Sequence, residues 1–436
     1  MKRIVILASA LLLCSSAFAQ EEKPSHFKLY GFIRNYISAD TRAVSAGTED
    51  LYFYMPKDLS MSEGVDMNDG VNWRFVSLTT RLGLDVSGYK WGSMGISGKV
   101  EADFYYLSGS VPTLRLRQAF MKLAWDNCPV SLTIGQTWHP MAVDMPHMTN
   151  LETGAPFNPF NRSPQATLDV ALGAGFSFTA SVLYLNHYLP TGPSGKTKDY
   201  YKYGLPEFYA GFGYKGPHFA AKIGVDIINT KPVGFVGYDN KDQDKVVRGY
   251  TMDVRKYKAS GLLTAISPFV FLQYTNGMFQ LKAKSILAQS GEQFNLLSGY
   301  GLATIDDTNH KYTYTPMQDW ASFVSFQYGK KFQVMCMLGY MKQLGTTADL
   351  ADVSQLWLNS AADTKIQQAF RATPTVAWNI GKFTVSLEYN YTLAEFGNTE
   401  AAGFAAAARN VCGQYVAGDT HWVHNHRFIC MTKFNF

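Results

Sequence analysis

Stretch after stretch of this chain is apolar at every second residue, and the residues between are often charged. In 93–107, Met94, Ile96, Val100, Ala102, Phe104 and Tyr106 fall on one side, with Ser93, Ser97, Lys99, Glu101, Asp103 and Tyr105 on the other. In 74–86, Val76, Leu78, Leu82, Leu84 and Val86 oppose Ser77, Thr79, Arg81 and Asp85; in 381–395, Phe383, Val385, Leu387, Tyr389 and Tyr391 oppose Lys382, Thr384, Ser386, Glu388 and Asn390. Period two means β-strand. A soluble sandwich also alternates, but its packed interior would reject so many charges on the second face. A barrel closed in lipid, greasy outside and wet inside, needs that pattern. The final strand has it too: Phe428, Cys430, Thr432, Phe434 and Phe436 against Arg427, Lys433 and Asn435.

Sixteen such segments are predicted, at about 27–37, 73–87, 93–107, 113–126, 129–138, 165–173, 175–187, 205–215, 217–228, 259–275, 278–289, 318–329, 331–343, 365–379, 381–395 and 422–436. Tight turns such as Lys215-Gly216-Pro217 and Thr275-Asn276-Gly277 alternate with long connections such as 38–72, 139–164, 229–258 and 396–421. Short turns at one end and long loops at the other are the asymmetry of an outer-membrane barrel. The strand 113–126 has an ambiguous phase: Arg115 and Arg117 share a side, which sends Gln118 and Lys122 to the side of Leu116 and Phe120.

Composition supports the same reading. Aromatics make up 14% and charged residues only 17%, against about 25% charged in an ordinary soluble protein. Residues 1–19 read as a secretory signal: Lys2 and Arg3, the apolar run Ile4–Leu13, then Ala17-Phe18-Ala19 as the cleavage site. The expected organisation is that leader followed by one barrel domain, 20–436, in the outer membrane. No other segment has the roughly 18 uninterrupted apolar residues a spanning helix needs. The cysteines Cys128, Cys336, Cys412 and Cys430 are dispersed and read as small apolar residues, not a disulfide framework.

Sixteen strands enclose a lumen wide enough for water, so the inner face is the candidate working surface. The register places Arg81, Lys99, Arg115, Arg117, Lys222, Lys282, Lys284, Arg371, Arg427 and Lys433 there, against Asp85, Glu101, Asp103, Asp226 and Glu388. That excess of positive charge favours anions. The loop 139–164 holds four internal prolines and an apolar content unsuited to a chain waving in water. It must pack against something, and the barrel interior is the nearest surface. By analogy with general porins, whose third loop folds inward, it is expected to be a constriction carrying His139, Asp144, His147, Phe157, Phe160 and Arg162. The alternative is packing over the barrel mouth or against a partner subunit.

Other chemistry is set aside. Asp419, His421, His424 and His426 are close enough to suggest a transition metal, but imidazoles at a membrane interface explain them. Asp239, Asp242 and Asp244 lack the glycine and terminal glutamate of a calcium loop. No nucleophile motif points to a hydrolase, and no catalytic residue, metal or cofactor is assigned. The expected partners are lipid and lipopolysaccharide, the barrel-assembly machinery through the strand ending at Phe436, and small solutes; nucleic acid is not among them, and the oligomeric state is left open.

Several stretches carry a family likeness: Leu29-Tyr30-Gly31-Phe32-Ile33-Arg34, Leu114-Arg115-Leu116-Arg117-Gln118-Ala119-Phe120, Gly135-Gln136-Thr137-Trp138-His139-Pro140, and Gly154-Ala155-Pro156-Phe157 leading to Asn161-Arg162-Ser163-Pro164-Gln165. In these the chain resembles the large porin-like outer-membrane barrels of the Bacteroidota. The resemblance implies a passive diffusion channel. The short connection 108–112 departs from trimeric porins, whose second loop latches a neighbour. Three rivals to a small-solute channel remain at this point: a barrel specific for one ligand, a barrel serving as anchor or assembly partner, and an outer-membrane hydrolase.

Overall fold

A computed structural model describes residues 26–47, 52–105, 112–185, 204–239, 261–306, 311–351, 366–397 and 420–436, with short stretches between them (188, 192–193, 246–247, 254–259, 308–309, 356–358). The leader 1–19, Cys14, Cys412, Asp242, Asp244 and Asp419 lie outside the described residues.

Sixteen antiparallel strands close into one barrel. They are β1 His26–Arg42, β2 in two pieces (Asp69–Val76 and Arg81–Trp91), β3 Met94–Tyr105, β4 Thr113–Trp125, β5 Val130–Trp138, β6 Arg162–Gly173, β7 Phe176–Leu183 and β8 Glu207–Lys215. The second half is β9 Phe219–Thr230, β10 Leu263–Asn276, β11 Phe279–Gln289, β12 Lys311–Gly329, β13 Phe332–Thr346, β14 (Ile366–Ala372 and Thr375–Ile380), β15 Phe383–Gly397 and β16 Thr420–Asn435. Each strand pairs with its sequence neighbour, and β1 pairs with β16 through Ile33↔Phe434 and Asp40↔Arg427. Closure leaves no unpaired edge, the condition for a β-structure in lipid.

Outward positions are apolar from β1 round to β16: Leu29, Leu82, Val100, Ile223, Leu338, Leu387 and Phe428 are all exposed. Towards the long-loop end, Trp320, Tyr340, Phe370 and Trp422 form a chain of rings with centroids 5.4, 4.7 and 6.3 Å apart. Towards the short-turn end, Phe176 pairs with Tyr214 and Phe178 with Phe212, at 4.9 and 5.1 Å. An apolar band bounded by two aromatic girdles is a surface made for a bilayer.

The phase of β4 resolves through a bulge. Glu101 of β3 stands opposite Gln118 and Ala102 opposite Leu116, so Arg117 is the extra residue. A bulge places two successive residues against one. Arg117 and Gln118 are therefore both buried inside, while Leu114, Leu116 and Met121 stay exposed outside. Strict alternation cannot express such a step.

Candidate functional site: the barrel interior

The loop 139–161 leaves β5, enters the lumen and runs along the inner wall. His147 N–H donates to Ser325 Oγ of β12 (3.2 Å), Thr149 N–H to Glu388 of β15 (2.5 Å), and Tyr36 OH of β1 to the Thr149 carbonyl (2.9 Å). Phe157 packs closely on Gly339 of β13, its Cγ only 2.5 Å from where a Cβ would stand. The return limb is fixed by Phe160 N–H to the Phe294 carbonyl and Asn161 Nδ2 to the Gln293 carbonyl. Met141, Ala155, Phe157 and Phe160 close a hydrophobic cluster with Phe271, Phe323, Met337 and Met341 of the wall. The apolar side chains of this loop are buried against the barrel, which is why water does not oppose their presence.

This route corrects the reading of several inward-facing residues. Lys284, Arg371, Glu388 and Arg427 do point inward, yet the loop and its neighbours cover them, so they brace the interior and do not meet free water. Lys284 Nζ donates to the Met141 carbonyl and Asn158 Oδ1, both at 2.9 Å. Arg371 pairs with Glu152 at 3.2 Å, both fully buried, and also donates to the Ala155 and Tyr54 carbonyls. Arg427 pairs with Asp40 at 3.1 Å. Lys222 holds Asp144 at 2.8 Å, and Lys282 Nζ donates to the Met145 carbonyl. Burial and the nearby Lys282 lower the His147 imidazole to about 4, so it brings no charge at neutral pH.

Two further segments enter the lumen that sequence reasoning missed. Tyr52–Pro56 lies inside, with Tyr54 OH donating to the Asn295 carbonyl, and Phe294, Leu296 and Leu297 are fully buried above β11. Their signal was present: Phe53, Tyr54 and Met55, like Leu296 and Leu297, are apolar runs inside connections assigned to water.

The opposite wall, from β16 through β1 to β4, is built differently. Arg117 bonds Glu101 (3.1 Å) and Asp103 (2.5 Å), Arg115 bonds Asp103 (2.9 Å), Arg81 reaches Glu101 (3.4 Å), and Lys99 reaches Asp85 (2.8 Å). Arg34 has Thr79 Oγ1 at 3.1 Å and stacks between Phe32 and Tyr36, and Lys433 sits 5.8 Å over Phe32; neither meets a carboxylate among the described residues. With Arg162 at the start of β6, these basic groups outnumber Asp85, Glu101 and Asp103 among the described residues, while Asp40 of the same wall is taken up by Arg74 and Arg427. Many of them are wet: the side chains of Lys99 and Arg115 are 29% and 27% exposed. Towards the short-turn end, a recess opens between Lys122, Asp169, Thr179, Tyr209, Lys222 and the loop's Pro140 and Val143.

His139, at the loop's base, points between Glu207 of β8 and Asp226 of β9, with Nε2 2.9 and 3.4 Å from their oxygens and all three side chains fully buried. Their ligand-type atoms lie within 4.8 Å of one another, close enough for a metal ion. The tautomer opposes that use. Met141 N–H donates to His139 Nδ1 at 3.0 Å, so a neutral ring carries its proton on Nε2, facing the carboxylates. A metal would need the lone pair there, and metal-bound histidines instead donate through their second nitrogen. The trio fits a buried polar anchor for the loop, with His139 held between two carboxylates.

The remaining candidates separate. His424 and His426 share the outer face, 5.4 Å apart, and His426 Nδ1 bonds Tyr389 OH. His421 faces the other way, against Asp58 at 2.5 Å. Asp239 ends a short strand, Phe235–Asp239.

Neither a scan against protein families nor a comparison with curated proteins finds a match. Solved structures do share the fold. The outer membrane channel DcaP of Acinetobacter baumannii superimposes with a TM-score of 0.64 at 17% identity, over 97% of this chain and all of that one. An anion-selective porin from Comamonas acidovorans gives 0.53 at 8% identity over 95% of this chain and all of its own. A loop-deletion form of OmpT, an outer membrane protein of Vibrio cholerae, gives 0.51 at 12%, again over 95% and 100%. At such identities the likeness establishes the architecture alone: an all-β, sixteen-stranded antiparallel barrel.

Proposed function

We propose that this protein is a non-enzymatic outer-membrane channel for passive diffusion of small hydrophilic solutes, with a preference for anions. One observation carries the reading: an internal loop packs on one wall while the facing wall presents a basic surplus to the lumen. A one-sided charge lining sets the sign of the ions that dwell in a pore. The loop 139–164 acts as the constriction, and Arg34, Arg81, Lys99, Arg115 and Lys433 line the passage beside it, with Arg117 buried behind them against Glu101 and Asp103. The Comamonas acidovorans porin of like fold is described as anion-selective, which agrees with this reading. The Bacteroidota-like motifs belong to it as well, as do insertion beside lipopolysaccharide and assembly through the strand ending at Phe436, whose N–H bonds the Gly31 carbonyl across the seam.

Planar-bilayer recording tests it. Stable ohmic steps are expected, with a zero-current potential in a potassium chloride gradient whose sign reports chloride as the more permeant ion. Silence at high protein load favours an anchor or assembly role, and a cation-selective potential removes the anion preference.

A further inference from the structure

The recess at the short-turn end carries a base and an acid that the barrel leaves unmatched. Lys122 of β4 and Asp169 of β6 both line it and are half-buried, yet neither forms an ion pair among the described residues. Other inward charges nearby are taken: Lys222 by Asp144 at 2.8 Å, and Arg115 by Asp103 at 2.9 Å. The register explains why the two do not meet. Thr133 of β5 stands opposite Lys122 on one side and Thr167 of β6 on the other. Asp169 is the next inward position after Thr167, opposite Thr179 of β7. Two strand spacings of about 4.8 Å and one two-residue step of about 6.8 Å put the Cα atoms about 12 Å apart. Held at that spacing, a base and an acid face one space from opposite sides.

The space between them suits a guest. Thr179 Oγ1 donates to Asp169 Oδ1 at 2.6 Å and fixes the carboxylate. The Thr133 hydroxyl makes no hydrogen bond among the described residues. Beyond Thr179, Gly211 and Gly213 occupy successive inward positions of β8, so the wall recedes there. The recess has a volume of about 370 Å³, within the roughly 300–1,000 Å³ of small-molecule sites. Resting on the reading of the barrel as a channel, we propose that Lys122 and Asp169 form a subsite for a small zwitterion, an α-amino acid, on the short-turn side of the constriction. Its carboxylate takes Lys122 and the Thr133 hydroxyl, and its ammonium takes Asp169, in charge-assisted hydrogen bonds. Both charges are needed. A plain anion gains Lys122 but meets Asp169, and a plain cation meets the reverse. The subsite therefore selects on a basis that the anion preference of the basic wall does not supply.

Saturation-transfer NMR on the detergent-solubilised full-length barrel tests it, with L-alanine as the probe and acetate and methylammonium as single-charge controls. The alanine methyl signal is expected to saturate with concentration. Either control should need about tenfold more, the worth of one charge-assisted hydrogen bond. Lys122→Met and Asp169→Asn should each weaken alanine binding about tenfold for the same reason. Neither residue holds an ion pair among the described residues, so the unfolding temperature should stay near that of wild type. If either variant does not fold, Thr133→Val removes only the free hydroxyl and should weaken alanine about threefold. Acetate binding as tightly as alanine, or alanine binding unchanged in the variants, overturns the subsite. Planar-bilayer recording keeps the two readings apart. Anion-biased steps without saturable alanine binding leave the channel and remove the subsite. Saturable alanine binding in a protein that never conducts removes the channel and leaves the recess as a binding site.

Discussion

The two halves of the inner wall have similar charge chemistry and opposite fates. On β9 to β15, Lys284, Arg371 and Glu388 sit beneath the loop and spend their hydrogen bonds on it. On β16 and β1 to β4, Arg115 and Lys99 pair with acids of their own wall and keep part of their surface wet. A charge on an inward-facing strand position is therefore a fastener or a lining group according to what the loops do above it. Strand periodicity gives the face, and the loops give the role.

The largest way to break the contrast is to unfasten the covered wall. Arg371→Met leaves Glu152 and the Ala155 and Tyr54 carbonyls buried without their shared donor, and an unmet buried polar group costs about 1–3 kcal/mol. Loop 139–164 should then detach: urea unfolding shifts to lower concentration, and single-channel conductance becomes larger and noisier. Unchanged conductance would mean the loop is held by its apolar contacts alone.

Proton linkage probes the same joint. Burial holds the Glu152 carboxyl at about 7, above its ordinary 4.5, with Arg371 and Arg427 pulling the other way. The docked loop thus keeps a proton that a free loop would release. Its contribution to docking is full below pH 4.5 and disappears as pH rises through 7, with an upper bound of about 3 kcal/mol. Protease cleavage of the loop should accelerate between pH 6 and 8, a window chosen around that value of about 7. Glu152→Gln should flatten the profile; a persistent slope would assign the titration to Glu388 or another buried acid.

A milder change separates packing from charge. Gly339→Ala puts a methyl group against the Cβ and Cγ of Phe157, a stem that cannot swing aside. Overpacking of this kind costs about 1–3 kcal/mol. It should widen the conductance distribution without altering selectivity. If instead the zero-current potential moves with it, the loop itself contributes to ion preference.

The barrel was legible because lipid imposes one rule on every strand, and all sixteen segments emerge from alternation, though alternation missed the long-loop ends of β1, which runs to Arg42, and β12, which starts at Lys311. Arg81, Glu101 and Asp103 were placed on the inner face for the same reason. What periodicity could not convey was local. The bulge at Arg117 breaks the period for one residue, and the burial of Lys284 or Arg371 depends on a loop more than a hundred residues away in sequence. Arg162 was assigned to the loop, but its lack of a counter-charge becomes visible only when every neighbour has a position.

The smallest expected effect on stability concerns the open wall. Sequence alone makes Arg115 and Arg117 the obvious pair to neutralise. The structure argues otherwise, because both hold Asp103, which is fully buried, and their loss leaves that acid unanswered. A change in selectivity would then be mixed with a change in fold. Arg34 and Lys433 touch no carboxylate among the described residues. Arg34→Gln with Lys433→Gln loses one hydrogen bond to Thr79 and the ring contacts but strands no buried acid. It should lower stability by only about 1 kcal/mol and lower the chloride-to-potassium permeability ratio. The same ratio in the double variant and in wild type would show that the paired arginines, dipolar though their pairs are, set the field of the channel.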